Sequence, residues 1–265
     1  MNNSSAMPHW ETHGGSGPHL LLVHGLLSSR AQWSLNIAAL QKFCQPVSLE
    51  LFGHGRSPSP EDPDCYRPSH YLKCFEVIRE ALGVEQWFVL GYSLGAGLTI
   101  RYAVEQPHRV IGHIFTNSTS GLADKQQVAD WRNSAAEVAA GIRSGGHAAM
   151  ERIPVHPKHA RKLPQSVVAQ LVQDAALHNP EGIASTLEIT NPEVSARTLI
   201  SSNPRPALLI FGTRERRFQA HKAYVEANMP QLTIAELDAG HGMNMEAADA
   251  FNKAVQTFVS ACLTS

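Results

Sequence analysis

Three side chains far apart in the chain are of the types that nucleophilic catalysis needs. Ser93 stands at the centre of Gly91-Tyr92-Ser93-Leu94-Gly95. The run before it, Gln86-Trp87-Phe88-Val89-Leu90, is aromatic, β-branched and aliphatic, and reads as a short buried strand. Over residues 94–106 the apolar positions recur at helical spacing and stop before Pro107. Gly-x-Ser-x-Gly at a strand-to-helix junction is a tight turn that lifts a serine hydroxyl clear of a sheet. Its glycines let neighbouring backbone pass close to a strained serine. A serine attacks a carbonyl effectively only when a base takes its proton, and His241 is the candidate base. It lies in Asp238-Ala239-Gly240-His241-Gly242, between a strand at residues 232–237 and an amphipathic helix with Ala247, Phe251, Val255, Phe258 and Cys262 on one face. A glycine-flanked loop in that place can turn an imidazole toward a neighbouring strand end.

A carboxylate on the far side of the imidazole would fix its tautomer and stabilise the imidazolium. Glu215 sits just past the apolar run 207–211 and is the candidate. Its neighbours Arg214, Arg216 and Arg217 also allow a solvated charge cluster of little energetic weight. Asp238, three residues before His241, is the alternative acid, although that closeness suits a loop aspartate bonding its own backbone. Charge developing on a carbonyl oxygen needs preorganised donors, and in such a turn one donor is the backbone N–H after the nucleophile, here Leu94.

The elements that must position these groups alternate between strand and helix. Residues 20–23 read as a strand, 30–41 as a helix and 47–51 as a strand. A helix then follows, capped by Ser69 and stopped by Gly83, with Leu72, Phe75, Ile78 and Leu82 on one side. The Ser93 strand and helix come next, then a strand at 110–116. The alternation predicts an α/β protein with a mostly parallel central sheet flanked by helices. Between 119 and 205 the pattern breaks into helical stretches, clearest at 124–144, 165–178 and 180–189. Such a block reads as a helical cap inserted over the strand ends, where open α/β sheets hold their ligands. The expected division is therefore 1–118 for the first part of the core, 119–205 for the cap and 206–265 for the second part of the core.

Bulk properties narrow the function classes. With 22 Lys and Arg against 23 Asp and Glu, the 265-residue chain has a net charge of −1. That gives no global electrostatic case for nucleic acid or an anionic membrane surface. The first apolar run, within residues 20–27, is too short to span a bilayer, and residues 1–18 are polar and rich in Gly and Ser, without a signal-like pattern. Cys44, Cys65, Cys74 and Cys262 have no metal or redox spacing and read as reduced thiols, which favours the cytoplasm. His156 with His159, and His9 with His13, lie close together without further ligands and read as solvated histidines, so no metal is expected. Serine-based acyl transfer calls for no cofactor.

Taken together these features resemble the α/β-hydrolase-fold serine hydrolases, from about Pro18 to the last helix. Beyond the Ser93 turn, the resemblance includes His24-Gly25 after the first strand and Phe52-Gly53-His54-Gly55-Arg56-Ser57 after the second. It also includes the Gly212 loop and the Gly240-His241 loop with Glu246 behind it. Similar members are esterases of the biotin-pathway carboxylesterase type, menaquinone-pathway synthases and ring-cleavage C–C hydrolases. The resemblance implies Ser93, Glu215 and His241 as nucleophile, acid and base, a second oxyanion donor at the Leu26 N–H, and His24 as a prop for that loop. Two positions depart from it: Glu50 and Glu215 stand where Asp is usual.

Leu26, Leu27, Leu94, Met243 and Met245 are the expected apolar pocket walls. Arg143, Arg152, Lys158, Arg161 and Lys162 against Glu151 make the middle of the cap basic. That suits either a solvated face or attraction of an anionic or carrier-protein-linked ester. The expected activity is hydrolysis of a carboxylic ester or thioester of a small to medium acyl group through an acyl-serine. The alternatives are a lyase or C–C bond hydrolase using the same triad, and a non-catalytic ligand-binding protein of this fold.

Overall fold

The computed structural model describes residues 6–264. Seven strands form one sheet: β1 (Trp10–Thr12), β2 (His19–Val23), β3 (Gln45–Leu49), β4 (Trp87–Gly91), β5 (Val110–Thr116), β6 (Ala207–Gly212) and β7 (Leu232–Leu237). Their spatial order is β1-β3-β2-β4-β5-β6-β7. β1 pairs antiparallel with β3, and every other pairing is parallel. The helices are α1 (Ile37–Leu40), α2 (Pro68–Ala81), α3 (Leu94–Glu105), α4 (Lys125–Met150), α5 (Gln165–Ala175), α6 (Pro180–Ser185), α7 (Asn191–Glu193), α8 (Gln219–Asn228), α9 (Met243–Glu246) and α10 (Ala248–Thr264). The architecture is the expected α/β one. Among the described residues no helix is long and apolar enough to cross a membrane.

Both faces of the sheet are covered, as the unbroken apolar runs of its central strands require. On β2, Leu21 and Val23 pack into one core with Phe75, Ile78, Leu98 and Tyr102. Leu20 and Leu22 point the other way, into a core with Phe251, Val255 and Phe258 of α10. The chain leaves β2 for β3 on one side and returns to β4 on the other. The carboxyl ends of β2 and β4 therefore flank a topological switch point, where an open α/β sheet leaves a crevice. Gly25 and Ser93 each stand two residues past those ends.

Several local expectations change. β1 was not legible: it has three residues and no alternation, and it exists through its ladder to β3. The helix expected at 30–41 is a 3₁₀ turn, Arg30–Trp33, followed by the short α1. Ser29 caps that turn by accepting from the Ala31 N–H, which uses the first turn up locally. Ser69 does not cap α2: Pro68 occupies the first turn, with Arg67 in the cap position and no side-chain bond there. Gly83, at φ +66°, follows the helix as its stop. Between β5 and β6 the described residues form α4 to α7 and no strand. α4 opens with a capping box of Asp124 and Gln127 and breaks at Gly146.

Candidate active site

Ser93 has φ 53° and ψ −115°, a left-handed conformation that costs a residue with a side chain roughly 1–3 kcal/mol. Packing at the turn holds it there. A Cβ on Gly91 would lie 2.1 Å from Thr99 Oγ1, and one on Gly95 2.4 Å from the Val23 carbonyl oxygen. Helix α3 can therefore approach β2 and β4 only if both positions are glycine. The Ser93 N–H donates to Thr116 Oγ1 at 3.2 Å, and the Ser118 hydroxyl donates to the Ser93 carbonyl. Leu94 begins α3, so its N–H belongs to the first turn, where backbone donors lack helical partners.

The loop after β2 is built from below by histidines. His24 is fully buried, donates from Nδ1 to the Gly25 carbonyl at 2.7 Å, and accepts at Nε2 from the Leu51 N–H at 3.0 Å. Burial pushes its pKa down to about 3, outweighing the Gly25 hydrogen bond, so the ring is neutral and ties the ends of β2 and β3 together. Gly25 packs on Ser93: a Cβ there would meet Ser93 Cβ at 3.0 Å. Glu50 is wholly buried and accepts from the Arg56 N–H at 2.6 Å, closing the Gly53-His54-Gly55 loop around itself.

His241 Nδ1 donates to Glu215, with the two carboxylate oxygens at 3.0 and 2.9 Å. Burial raises the Glu215 pKa, but His241, Asn117 and Arg217 together outweigh it and hold the carboxyl below its ordinary value. Asp238 lies elsewhere: its side chain is 86% exposed and pairs with Arg214 at 3.2 Å. The Tyr92 hydroxyl donates to the His241 carbonyl, and its ring meets the imidazole edge-on with centroids 5.3 Å apart.

Ser93, Leu94, His241, Leu26 and Leu27 all line one cavity of about 470 Å³ at the switch point. Part of its wall comes from residues 154–157 and 159–163 and from Leu171, in the segment between β5 and β6. Met243 does not reach it. That side chain is fully buried in the core with Leu237 and Ala239, while Met245, two residues on, lines the cavity. Four-residue α9 turns these two positions to opposite sides.

The basic residues of this segment are less free than its composition suggests. Arg143 pairs with Glu181 and Glu188, and Lys158 with Glu151. Arg161 and Lys162 line the cavity and have no carboxylate within 4 Å among the described residues. His156 is not a solvated residue: it is 7% exposed, and its Nδ1 accepts from the Lys158 N–H at 3.2 Å. His159 is exposed and donates to the Glu151 carbonyl.

Residues 18–248 match the profile of the α/β-hydrolase fold. The chain belongs to the α/β-hydrolase fold family. A Bacillus subtilis protein provisionally named 2-succinyl-6-hydroxy-2,4-cyclohexadiene-1-carboxylate synthase is 23% identical over 251 residues, 91% of this chain and 90% of that one. Human 1-acylglycerol-3-phosphate O-acyltransferase ABHD5 is 24% identical over 266 residues, 89% of this chain and 76% of the relative. Among solved structures, MenH from S. aureus superposes with a TM-score of 0.84 at 17% identity, covering 97% of this chain and 100% of that one. The enol-lactonase from Burkholderia xenovorans LB400 gives 0.74 at 23% identity, covering 95% and 96%.

Two site residues of this α/β-hydrolase-fold protein were not visible in the sequence. Asn117, directly after β5, donates from Nδ2 to Glu215 Oε2 at 2.7 Å and to the Gly212 carbonyl at 3.2 Å. Its Oδ1 accepts from the Gly212 N–H at 3.2 Å, so it braces the whole acid-bearing loop. Its place at the carboxyl end of a strand was the available signal. Gln32 is the other, accepting from the Gly25 N–H at 3.3 Å.

Proposed function

We propose that the protein is a serine hydrolase that cleaves a carboxylic ester or thioester of a small to medium acyl group through an acyl-serine intermediate. One observation carries this reading. A serine strained at the head of a helix shares a cavity with an imidazole whose far nitrogen is bonded to a half-buried carboxylate. In this reading His241 takes the Ser93 proton as Oγ bonds to the substrate carbonyl carbon. Glu215 stabilises the imidazolium, and the Leu26 and Leu94 N–H groups receive the oxyanion. His241 then returns the proton to the leaving alcohol or thiol. A water molecule repeats the sequence to release the acid and restore Ser93.

The test is stoichiometric labelling of Ser93 by a fluorophosphonate, with a burst of p-nitrophenol from short and medium acyl esters, and Ser93→Ala as control. Absence of both label and burst removes the proposal. The full-length relative named as a synthase favours a second reading, in which the same base abstracts a proton or drives C–C cleavage. Turnover that survives without any acyl-enzyme would select it.

Arg161 and Lys162 support an anionic substrate, either a small ester or one carried on an acidic protein. A kcat/KM that falls steeply with salt for carboxylate-bearing esters, and not for neutral ones, is expected. Equal salt dependence would remove the charge preference. Four free cysteines suit a reducing compartment, and the cytoplasm is the proposed location. Within this reading the residues between β5 and β6 act as a cap inserted into the core.

A further inference from the structure

Leu27, one residue beyond the Leu26 oxyanion donor of the proposed reaction, is a γ-branched residue at φ 55°. Left-handed backbone is unfavourable for such a side chain, so something must hold it. Its N–H donates to His54 Nε2 at 3.1 Å, and His54 Nδ1 donates to the Phe52 carbonyl at 3.0 Å, which fixes the tautomer that can accept from Leu27. Behind His54 stands His178, with ring centroids 5.2 Å apart. His178 Nδ1 accepts from the Gly55 N–H at 2.9 Å, which leaves its proton on Nε2. That nitrogen is buried and unbonded in the described structure.

We propose that His54 and His178 are positioning residues for the oxyanion loop, His54 accepting from the Leu27 N–H and His178 packing behind that ring, so that Leu26 faces the substrate oxygen; this rests on the acyl-serine reading above. The loop is also anchored at both ends. Gly25 is packed against Ser93 on one side, and on the other the Ser29 hydroxyl donates to buried Asp174 at 2.7 Å. Any change at Leu27 is therefore taken up by Leu26. His178 and Asp174 both belong to the segment between β5 and β6. The Asn179 N–H donates to the Gly53 carbonyl at 2.9 Å, and a Cβ on Gly53 would lie 2.6 Å from Gly182. The helical segment thus sets the oxyanion loop through two imidazoles as well as walling the cavity.

The experiment compares His54→Leu, His54→Gln and His178→Asn with the full-length protein. Gln can place an acceptor near the Nε2 position, whereas Leu cannot; Asn keeps an acceptor for Gly55 and removes the ring that packs against His54. His54→Leu is expected to lower kcat for a p-nitrophenyl ester by about 10–10²-fold, less than outright loss of an oxyanion donor, with KM within about twofold. Affinity for a trifluoromethyl ketone, which forms a tetrahedral oxyanion on the serine, should fall in parallel. His54→Gln should restore most of both, and His178→Asn should show a smaller loss of the same kind. A folded His54→Leu with unchanged kcat and ketone affinity overturns the assignment. If His54→Leu does not fold, an unchanged His178→Asn does so. Failure of the acyl-serine reading looks different, because the wild-type protein would then show neither label nor burst.

Discussion

Glu215 is ionised against its own burial, and that makes its partners measurable. Burial favours its neutral form, while His241, Asn117 and Arg217 favour the charged one and win. In the proposed reaction, Glu215→Gln keeps the shape and removes the charge that would hold the imidazolium. By analogy with amide substitution of a triad acid, it should lower kcat by roughly 10²–10⁴-fold. Asp238→Asn should change kcat less than about twofold, because that side chain is exposed and paired with Arg214. Steady-state kinetics on one ester checks both, and the reverse order would move the acid to Asp238. At this scale Ser93, Glu215 and His241 stood out as candidates because each follows a strand in a loop with a recognisable residue pattern. Asn117 was not, since its partner Glu215 lies 98 positions on and only folding brings them together. Arg143 reads as free charge for the same reason: Glu181 and Glu188, which neutralise it, are 38 and 45 positions away.

At the scale of elements, the turn between β4 and α3 depends on what is missing from two residues. Gly95→Ala would drive a methyl group to 2.4 Å from the Val23 carbonyl oxygen and 2.5 Å from that of His24. These are backbone atoms of β2 and its exit, which cannot rotate away as a side-chain tip can. The substitution should destabilise the protein by at least about 1–3 kcal/mol and reduce turnover of the folded fraction. Urea denaturation and a burst assay check it, and an unchanged midpoint with full activity would contradict the packing described. The long strands and amphipathic helices were readable from periodicity because their burial pattern is written in consecutive residues. β1 and the 3₁₀ turn at Arg30–Trp33 were not, because a ladder partner and a local Ser29 cap decide them. Met243 and Met245 were indistinguishable for the same reason, since α9 is too short to show a face.

For the whole molecule, the buried histidines set an acid limit. His24, His113 and His178 are pushed by burial to about 3, 4 and 4, and His54 is held well below its usual value by burial and by neighbouring His24 and His178. In the unfolded chain each ring takes a proton near pH 6.5. The folded protein is therefore at full stability above that pH and loses it as the pH falls from about 6.5 toward the folded values. Each ring contributes up to about 1.4 kcal/mol per pH unit in that window. Glu215 adds a loss of the same sign further down, below the ordinary carboxylate range. Urea midpoints measured from pH 8 to 5 should be flat at first and then drop steeply below about 6.5. Midpoints independent of pH down to 5 would mean that these rings are protonated in the folded state. Composition announced fourteen histidines but not which of them are sealed inside, because that depends on loops packed against distant helices.

The phenol beside Ser93 also has a mechanical consequence. Tyr92 is bonded covalently to Ser93 and holds the main chain of His241 through its phenol. Thermal jostling of either loop is thereby transmitted to the other, and the two side chains drift as a pair. Their separation should fluctuate less than the position of either one, so cutting that single tether would blur the reaction distance while leaving both groups in place on average.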